Sequence, residues 1–171
     1  MRPRRLAASD VDELTAMYDL IRDAFAFMEG IVDPPSSVHR LRPAQLAEPP
    51  AEPWVLGDPV VAAVVLTPRP NSLYIGKLAV ASDRRREGLA SRLIEHADQR
   101  AAQLGIGWLE LEVRVELTAN QRAFTSLGFH EVERTAHPGY HRPTGITYRR
   151  AVHARGPLAV RYRPRRHRRS S

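Results

Sequence analysis

Residues 78–91 read Leu-Ala-Val-Ala-Ser-Asp-Arg-Arg-Arg-Glu-Gly-Leu-Ala-Ser, an apolar strand, a polar turn and then a glycine that opens a long amphipathic stretch. A strand that runs into a helix N-terminus leaves several backbone N–H groups without a helical acceptor. Those donors and the helix dipole favour an anion, most often a phosphate. Gly88 has no Cβ, so a bulky ligand can come close to the backbone there. Arg84, Arg85 and Arg86 add positive charge around the turn. On this segment alone a second reading stays open, an ordinary strand–helix junction with a solvated basic turn.

The bulk properties narrow the chemistry. The chain of 171 residues suits one domain with a real core, or a small domain plus tails. It has no cysteine, which excludes disulfides, thiolate catalysis and Cys-ligated zinc. Its seven histidines show no paired ligand spacing, so no metal is expected. No apolar run approaches the roughly 18–20 residues that span a bilayer, so no membrane partner is expected. The basic start, Met1-Arg2-Pro3-Arg4-Arg5, leads into no apolar leader core, and the expected location is the cytoplasm. The net charge of +7 is a terminal property: the seven arginines at positions 155–169 account for all of it. Residues 153–171 therefore read as an Arg-rich, disordered tail on a domain of residues 1–152. Such a tail is usually a solvated extension. The alternative is a salt-sensitive contact with nucleic acid or ribosome.

The elements that must position the anion site follow from periodicity. A short strand at Arg4–Leu6 leads to a helix with Ser9 as its cap and Asp12 at the capping-box position. Leu14, Met17, Tyr18, Ile21 and Phe25 form its apolar face, and Gly30 stops it. One or two short helical pieces follow around Val38–Ala47. Glu48–Pro53 reads as a loop, because prolines spaced this way break a ladder. Trp54–Leu56 and Val60–Leu66 read as a hairpin around Gly57-Asp58-Pro59, and Leu73–Val80 as a third strand. A helix is expected from about Glu87 to Leu104. Trp108–Val115 alternates as a strand, with Glu110 and Glu116 solvated. Thr118 is expected to cap a short helix, with Gln121 completing its capping box and Gly128 stopping it. Strands at Phe129–Thr135 and Thr144–Val152 complete the chain, with His137-Pro138-Gly139-Tyr140 in the loop between them. The single strand–helix–strand crossover, Leu73 to Val115, implies one central parallel pair in an otherwise mostly antiparallel sheet. The expected class is α/β (α+β), a mixed sheet with helices on both faces.

Arg85-Arg86-Glu87-Gly88-Leu89-Ala90 fits R/Q-x-x-G-x-G/A, and the chain here resembles the GNAT acetyltransferase superfamily, whose acyl-CoA pyrophosphate loop has that pattern. Leu111-Glu112-Val113-Arg114, then a short helix and Leu127-Gly128-Phe129, is similar to the second half of the same core. Its spacing matches the branch that acetylates ribosomal-protein N-termini. The resemblance covers about residues 4–152 and implies that acetyl-CoA binds in a cleft where the two parallel strands splay. Leu78, Ala79 and Val80 would then pair with the pantetheine arm as an added strand. The loop and helix start, Arg85, Arg86, Glu87, Gly88, Leu89, Ala90 and Ser91, would cradle the pyrophosphate.

The resemblance also implies roles. Acyl transfer needs a neutral amine, and a lysine-like amine is neutral in only about one molecule in two thousand at pH 7. Glu112 matches the family's glutamate and is the first candidate base. Glu29, in the loop after the first helix, is the second. The family's acid is a tyrosine on the last short helix, and this chain has Phe124 there. Tyr140 or His137 could substitute, or a thiolate could leave unaided. The usual helix-opening asparagine is replaced by Leu117, with Asn120 three residues on; Asn120 and Phe124 are placed with the coenzyme-binding residues. Two functions follow: an acetyl-CoA-dependent N-acetyltransferase acting on a primary amine, or a module that holds acyl-CoA without turnover, the reading that Phe124 favours. A homodimer is left open.

Overall fold

The computed structural model describes residues 1–153. The expectations for the tail beyond residue 153 lie outside the described residues. Seven strands run β1 (Arg4–Arg5), β2 (Glu52–Leu56), β3 (Ala62–Pro68), β4 (Leu73–Val80), β5 (Trp108–Arg114), β6 (His130–Thr135) and β7 (Gly145–Ala151). The helices are α1 (Val11–Phe25), α2 (Leu89–Gln103) and α3 (Thr118–Ser126). Short 3-10 turns follow α1 at Ala26–Met28, Ser37–Arg40 and Pro43–Ala47, where helical pieces were expected. One sheet has the order β1-β2-β3-β4-β5-β7-β6, and only β4 and β5 pair in parallel. The mixed sheet with a central parallel pair is the expected fold.

The sheet separates two apolar layers. On one face Leu14, Met17 and Ile21 of α1 meet Val55, Ala63, Val65 and Ala79. On the other, Leu89, Leu93, Ile94 and Ala97 of α2 meet Leu56, Val64, Leu66, Leu73 and Leu109, and the layer continues to Phe129 and Ile146. Burying each such side chain contributes about 1.5–3 kcal/mol relative to leaving it in water. α2 and α3 both end in a Schellman closure. After α3, Phe129 N–H reaches the Phe124 carbonyl at 3.1 Å and Gly128 N–H the Thr125 carbonyl at 3.0 Å. The accompanying apolar contact is Phe124 on Phe129, edge to face with ring centroids 5.9 Å apart.

Several local expectations are corrected. Ser9 is not the cap of α1: Asp10 is, and its carboxylate accepts the Ala7 N–H at 2.6 Å instead of bonding into the helix. Thr118 is the first residue of α3 rather than its cap, and the Gln121 amide donates to the Arg114 and Val115 carbonyls. The Glu48–Pro53 loop is shorter than expected. Glu52 and Pro53 already belong to β2, opposite Leu66 and Val65, and the Pro53 carbonyl accepts the Leu6 N–H at 2.9 Å. Glu110 is buried rather than solvated, because Arg69 at 2.8 Å and Arg149 at 2.7 Å take one carboxylate oxygen each. Glu116 is largely covered too: Oε1 lies 3.5 Å from the Asp33 N–H, and Oε2 is buried without a partner.

Candidate active site

The parallel ladder is short. It contains Leu73 opposite Leu109 and Tyr74 opposite Glu110. Past Tyr74, β4 stays paired with β3 as far as Val80, and β5 stays paired with β7 as far as Arg114. Each strand is thus held from its outer side while the inner edges part. Those edges carry main-chain donors and acceptors with no strand opposite, and such groups need partners when covered. A cavity of about 330 Å³ opens at the parting. Gly76, Lys77 and Leu78 line it from β4, and Leu111, Glu112 and Arg114 from β5. Asn120 and Phe124 reach it from α3. Phe25, Met28, Pro34, Ser37 and Arg40 close it from the segment after α1.

A β-bulge shapes the β4 wall. Ala63 pairs with Ala79 and Val65 with Gly76, so Val64 opposes two residues, Lys77 and Leu78. Lys77 takes φ +52°. The extra residue reverses the strand's alternation: Leu73 and Ile75 point into the α2 layer before it, and Leu78 and Val80 after it. It also leaves Lys77 on the cavity wall, with Nζ 3.2 Å from Ser37 Oγ. Burial lowers the Lys77 ammonium below its ordinary 10.5.

The junction from β4 into α2 is a tight turn that leaves main-chain donors outside the helical ladder. Arg86 has φ +67° and Gly88, at the helix N-cap, φ +76°. A non-glycine residue in that region costs about 1–2 kcal/mol, so strain is stored in the turn. A Cβ at Gly88 would meet no atom within 4 Å, so glycine is required there by φ, and the space above it is open. The first helical bond is Arg92 N–H to the Gly88 carbonyl at 3.0 Å, which leaves the N–H groups of Leu89, Ala90 and Ser91 outside the helical ladder. Arg84 is committed to Glu87, its guanidinium gripping both carboxylate oxygens at 2.9–3.0 Å. Arg85 and Arg86 are exposed, with no ion-pair partner among the described residues.

Glu112 stands on β5 opposite Thr147 and lines the cavity. Its carboxylate lies over Gly145, where a Cβ would sit 2.7 Å from Oε1. Tyr74 shares the cavity, and burial first, then the Glu112 charge, raises its phenol above 10.0. The phenol therefore stays protonated beside the carboxylate. His137 also lines the cavity, and its Nδ1 is hydrogen-bonded to Thr144 Oγ1. Thr144 Oγ1 also accepts the His137 N–H at 2.9 Å, so the ring and main chain of His137 are both tied to that hydroxyl.

Of the residues singled out from sequence, Glu112, Leu78, Asn120 and Phe124 meet at the cavity. Ala79 is buried against α1, and Val80 leads into the turn and helix start at residues 85–91. Glu29 is exposed and does not line the cavity. Tyr140 does not line it either: its hydroxyl donates to Asp33 Oδ1 at 2.6 Å, and that bond first of all raises the phenol above 10.0. The reading of the sequence missed Tyr74, Lys77, Arg114 and Arg40. Tyr74 had a signal, a polar phenol at the one β4 position that alternates with Leu73 and Ile75. Lys77 had one too, as the only lysine of the chain, placed where the apolar alternation changes phase.

A sequence profile described as acetyltransferase (GNAT) family matches residues 14–129. No curated protein matches the chain by sequence. Among solved structures, the ribosomal-protein-S18-alanine N-acetyltransferase from Escherichia coli superposes with TM-score 0.66 at 24% identity, covering 90% of this chain and 95% of that one. An aminoglycoside 6'-acetyltransferase type Ii gives TM-score 0.69 at 18% identity, covering 91% and 100%. An aminoglycoside 6'-N-acetyltransferase complexed with coenzyme A gives 0.67 at 16%, covering 92% and 100%. These are likenesses of fold. No described helix is long and apolar enough to cross a membrane.

Proposed function

The chain belongs to the GNAT acetyltransferase family, and from that premise we propose that it moves the acetyl group of acetyl-CoA to a primary amine by direct attack in a ternary complex. The observation that carries the proposal is the parting of β4 from β5, with β4 then running on into the N-terminus of α2. Pantetheine is an extended arm with two amides, and the unpaired inner edge at Gly76–Leu78 offers what an added strand requires. The diphosphate at the other end of the arm suits the N–H groups of Leu89, Ala90 and Ser91, with Arg85 and Arg86 free to add charge.

In this reading Glu112 accepts a proton from the incoming ammonium, directly or through one water, and the neutral amine attacks the thioester carbon. The N–C bond forms, the C–S bond breaks, the nitrogen releases its second proton to solvent as the amide forms, and the coenzyme leaves as a thiolate. Such base assistance contributes about 10²–10⁴-fold. Holding amine and thioester together contributes about 7–11 kcal/mol of the barrier. Phe124 cannot protonate the thiolate, since a phenyl ring has no ionisable proton, and it packs edge to face on Phe129. Tyr74, kept protonated at the floor of the cavity, is the donor we assign instead.

A second reading, acyl-CoA binding without turnover, draws on Phe124 alone. Thiol release from acetyl-CoA with a panel of amines separates the two. Release that falls by two or more orders of magnitude in Glu112→Gln supports transfer. Coenzyme-dependent thermal stabilisation with no release on any amine supports the binding module.

A further inference from the structure

We propose that the acceptor is a small primary amine that also carries a carboxylate, with its amine at Glu112 and its carboxylate at Lys77, Arg40 and Arg114. This rests on the acetyl-transfer reading of the same cavity and names the substrate class. The lining carries charge of both signs. Glu112 is the one carboxylate on the lining, whereas Lys77, Arg40 and Arg114 are three cations.

The cations gather on one rim. Lys77 Nζ touches Ser37 Oγ at 3.2 Å, Arg114 Nη2 donates to the Pro34 carbonyl, and Arg40 ends the 3-10 turn that Ser37 begins. None of the three has a carboxylate partner among the described residues. Lys77 has spent one donor of three, on Ser37, which leaves two for a ligand oxygen.

The acids next to this rim stand back from the lining and form no ion pair with its three cations. Asp33 and Glu116 lie outside the cavity lining. Asp33 accepts from Tyr140 and Arg142, and the same Arg142 lies 3.9 Å from Glu116. A polycationic acceptor would therefore set its charges against three of like sign, whereas an amino acid offers a partner to both signs. The size agrees: about 330 Å³ must take the thioester end of the coenzyme as well, which leaves room for a small molecule only.

The test uses the full chain, acetyl-CoA and matched acceptors: a series of amino acids, their carboxamides, and a diamine of similar length. Free solution chemistry favours the carboxamides, whose amines are less basic. The expected result is a kcat/KM about tenfold or more higher for the acids than for their amides, with the diamine poorest. In Lys77→Met and Arg40→Gln that ratio shrinks severalfold through KM for the acids. Equal rates for acids and amides, or a preference undiminished in the double variant, overturn the inference and leave acetyl transfer standing. Coenzyme A binding by calorimetry with no thiol release from either series overturns the transfer reading, and the inference with it.

Discussion

The Glu112 carboxylate occupies the space that a side chain on residue 145 would need: a Cβ built on Gly145 lies 2.7 Å from Oε1 and 3.0 Å from Cδ. Gly145 opens β7 opposite Arg114, so the glycine is a recess into which the proposed base folds back. The obstructing atoms are the end of a flexible side chain. Gly145→Ala should therefore move the carboxylate rather than unfold the sheet. A kcat lower by about one to two orders of magnitude is expected, part of the 10²–10⁴-fold that a positioned base supplies. Coenzyme A affinity and the thermal midpoint should stay near the parent values, as steady-state kinetics beside calorimetry would show. An unchanged kcat would mean that the proton goes elsewhere.

Gly88 tests the other end of the coenzyme. Its φ of +76° costs an alanine about 1–2 kcal/mol, although a methyl there meets no protein atom. The turn should relax and swing the N–H groups of Leu89, Ala90 and Ser91 off their common aim. Gly88→Ala is expected to raise the coenzyme A Kd about tenfold, with only a few degrees lost in thermal midpoint. Unaltered affinity would place the diphosphate away from this helix.

A buried ion pair ties α2 to the far end of the sheet. Arg150 Nη2 donates to Asp98 Oδ2, Nη1 to the Leu127 carbonyl at 3.1 Å, and Asp98 Oδ1 accepts the His153 N–H at 3.1 Å. Both side chains are about nine-tenths buried. Asp98→Ala strands the Arg150 charge and should cost about 3–5 kcal/mol in denaturant unfolding. Asp98→Ala combined with Arg150→Met should cost less than Asp98→Ala alone. A double variant that loses the sum of both single losses would contradict this.

Acid should weaken the fold through His96 and Glu52. Burial, and after it the Arg100 charge, holds His96 below 6.5, while its ring packs tilted against Trp54 with centroids 4.1 Å apart. Burial by itself raises Glu52, but the hydrogen bonds and charge of Arg100, helped by Arg5 and Trp54, bring the net below 4.5. Below 6.5 the unfolded chain binds a proton that folded His96 refuses, and below 4.5 the same holds for Glu52. Both groups stabilise above those values and lose that contribution as pH falls. The thermal midpoint should drop from pH 7.5 to pH 5.5, and less steeply in His96→Phe. Equal slopes for parent and variant would rule out the His96 contribution.

Elements whose apolar residues repeat with one clear period were readable from sequence. The helix expected from about Glu87 to Leu104 is α2, and Leu73–Val80 is β4 to the residue although its alternation changes phase at the bulge. The start of α2 just after Gly88 was readable as well, because a helix start is a local feature. What depended on partners was not. Ser9 and Thr118 have the right hydroxyl for a cap, but the chain enters α1 one residue later and α3 one residue earlier, where Asp10 and Leu117 take the cap positions. Glu110 reads as solvated because its two arginines come from Arg69 and Arg149, far away in sequence. The bulge at Lys77 is a relation between two strands. Only the shift of apolar residues from 73 and 75 to 78 and 80 hinted at it.

The central claim is that coenzyme A lies in the parting of β4 and β5 with its diphosphate on the start of α2. A crystal structure of the chain with coenzyme A tests this most directly. The expected result is diphosphate oxygens within hydrogen-bond reach of the N–H groups of Leu89, Ala90 and Ser91, pantetheine amides paired along Gly76–Leu78, and the sulfur facing Glu112. Coenzyme bound elsewhere on the sheet, or a diphosphate out of reach of Gly88 and those three donors, would contradict it.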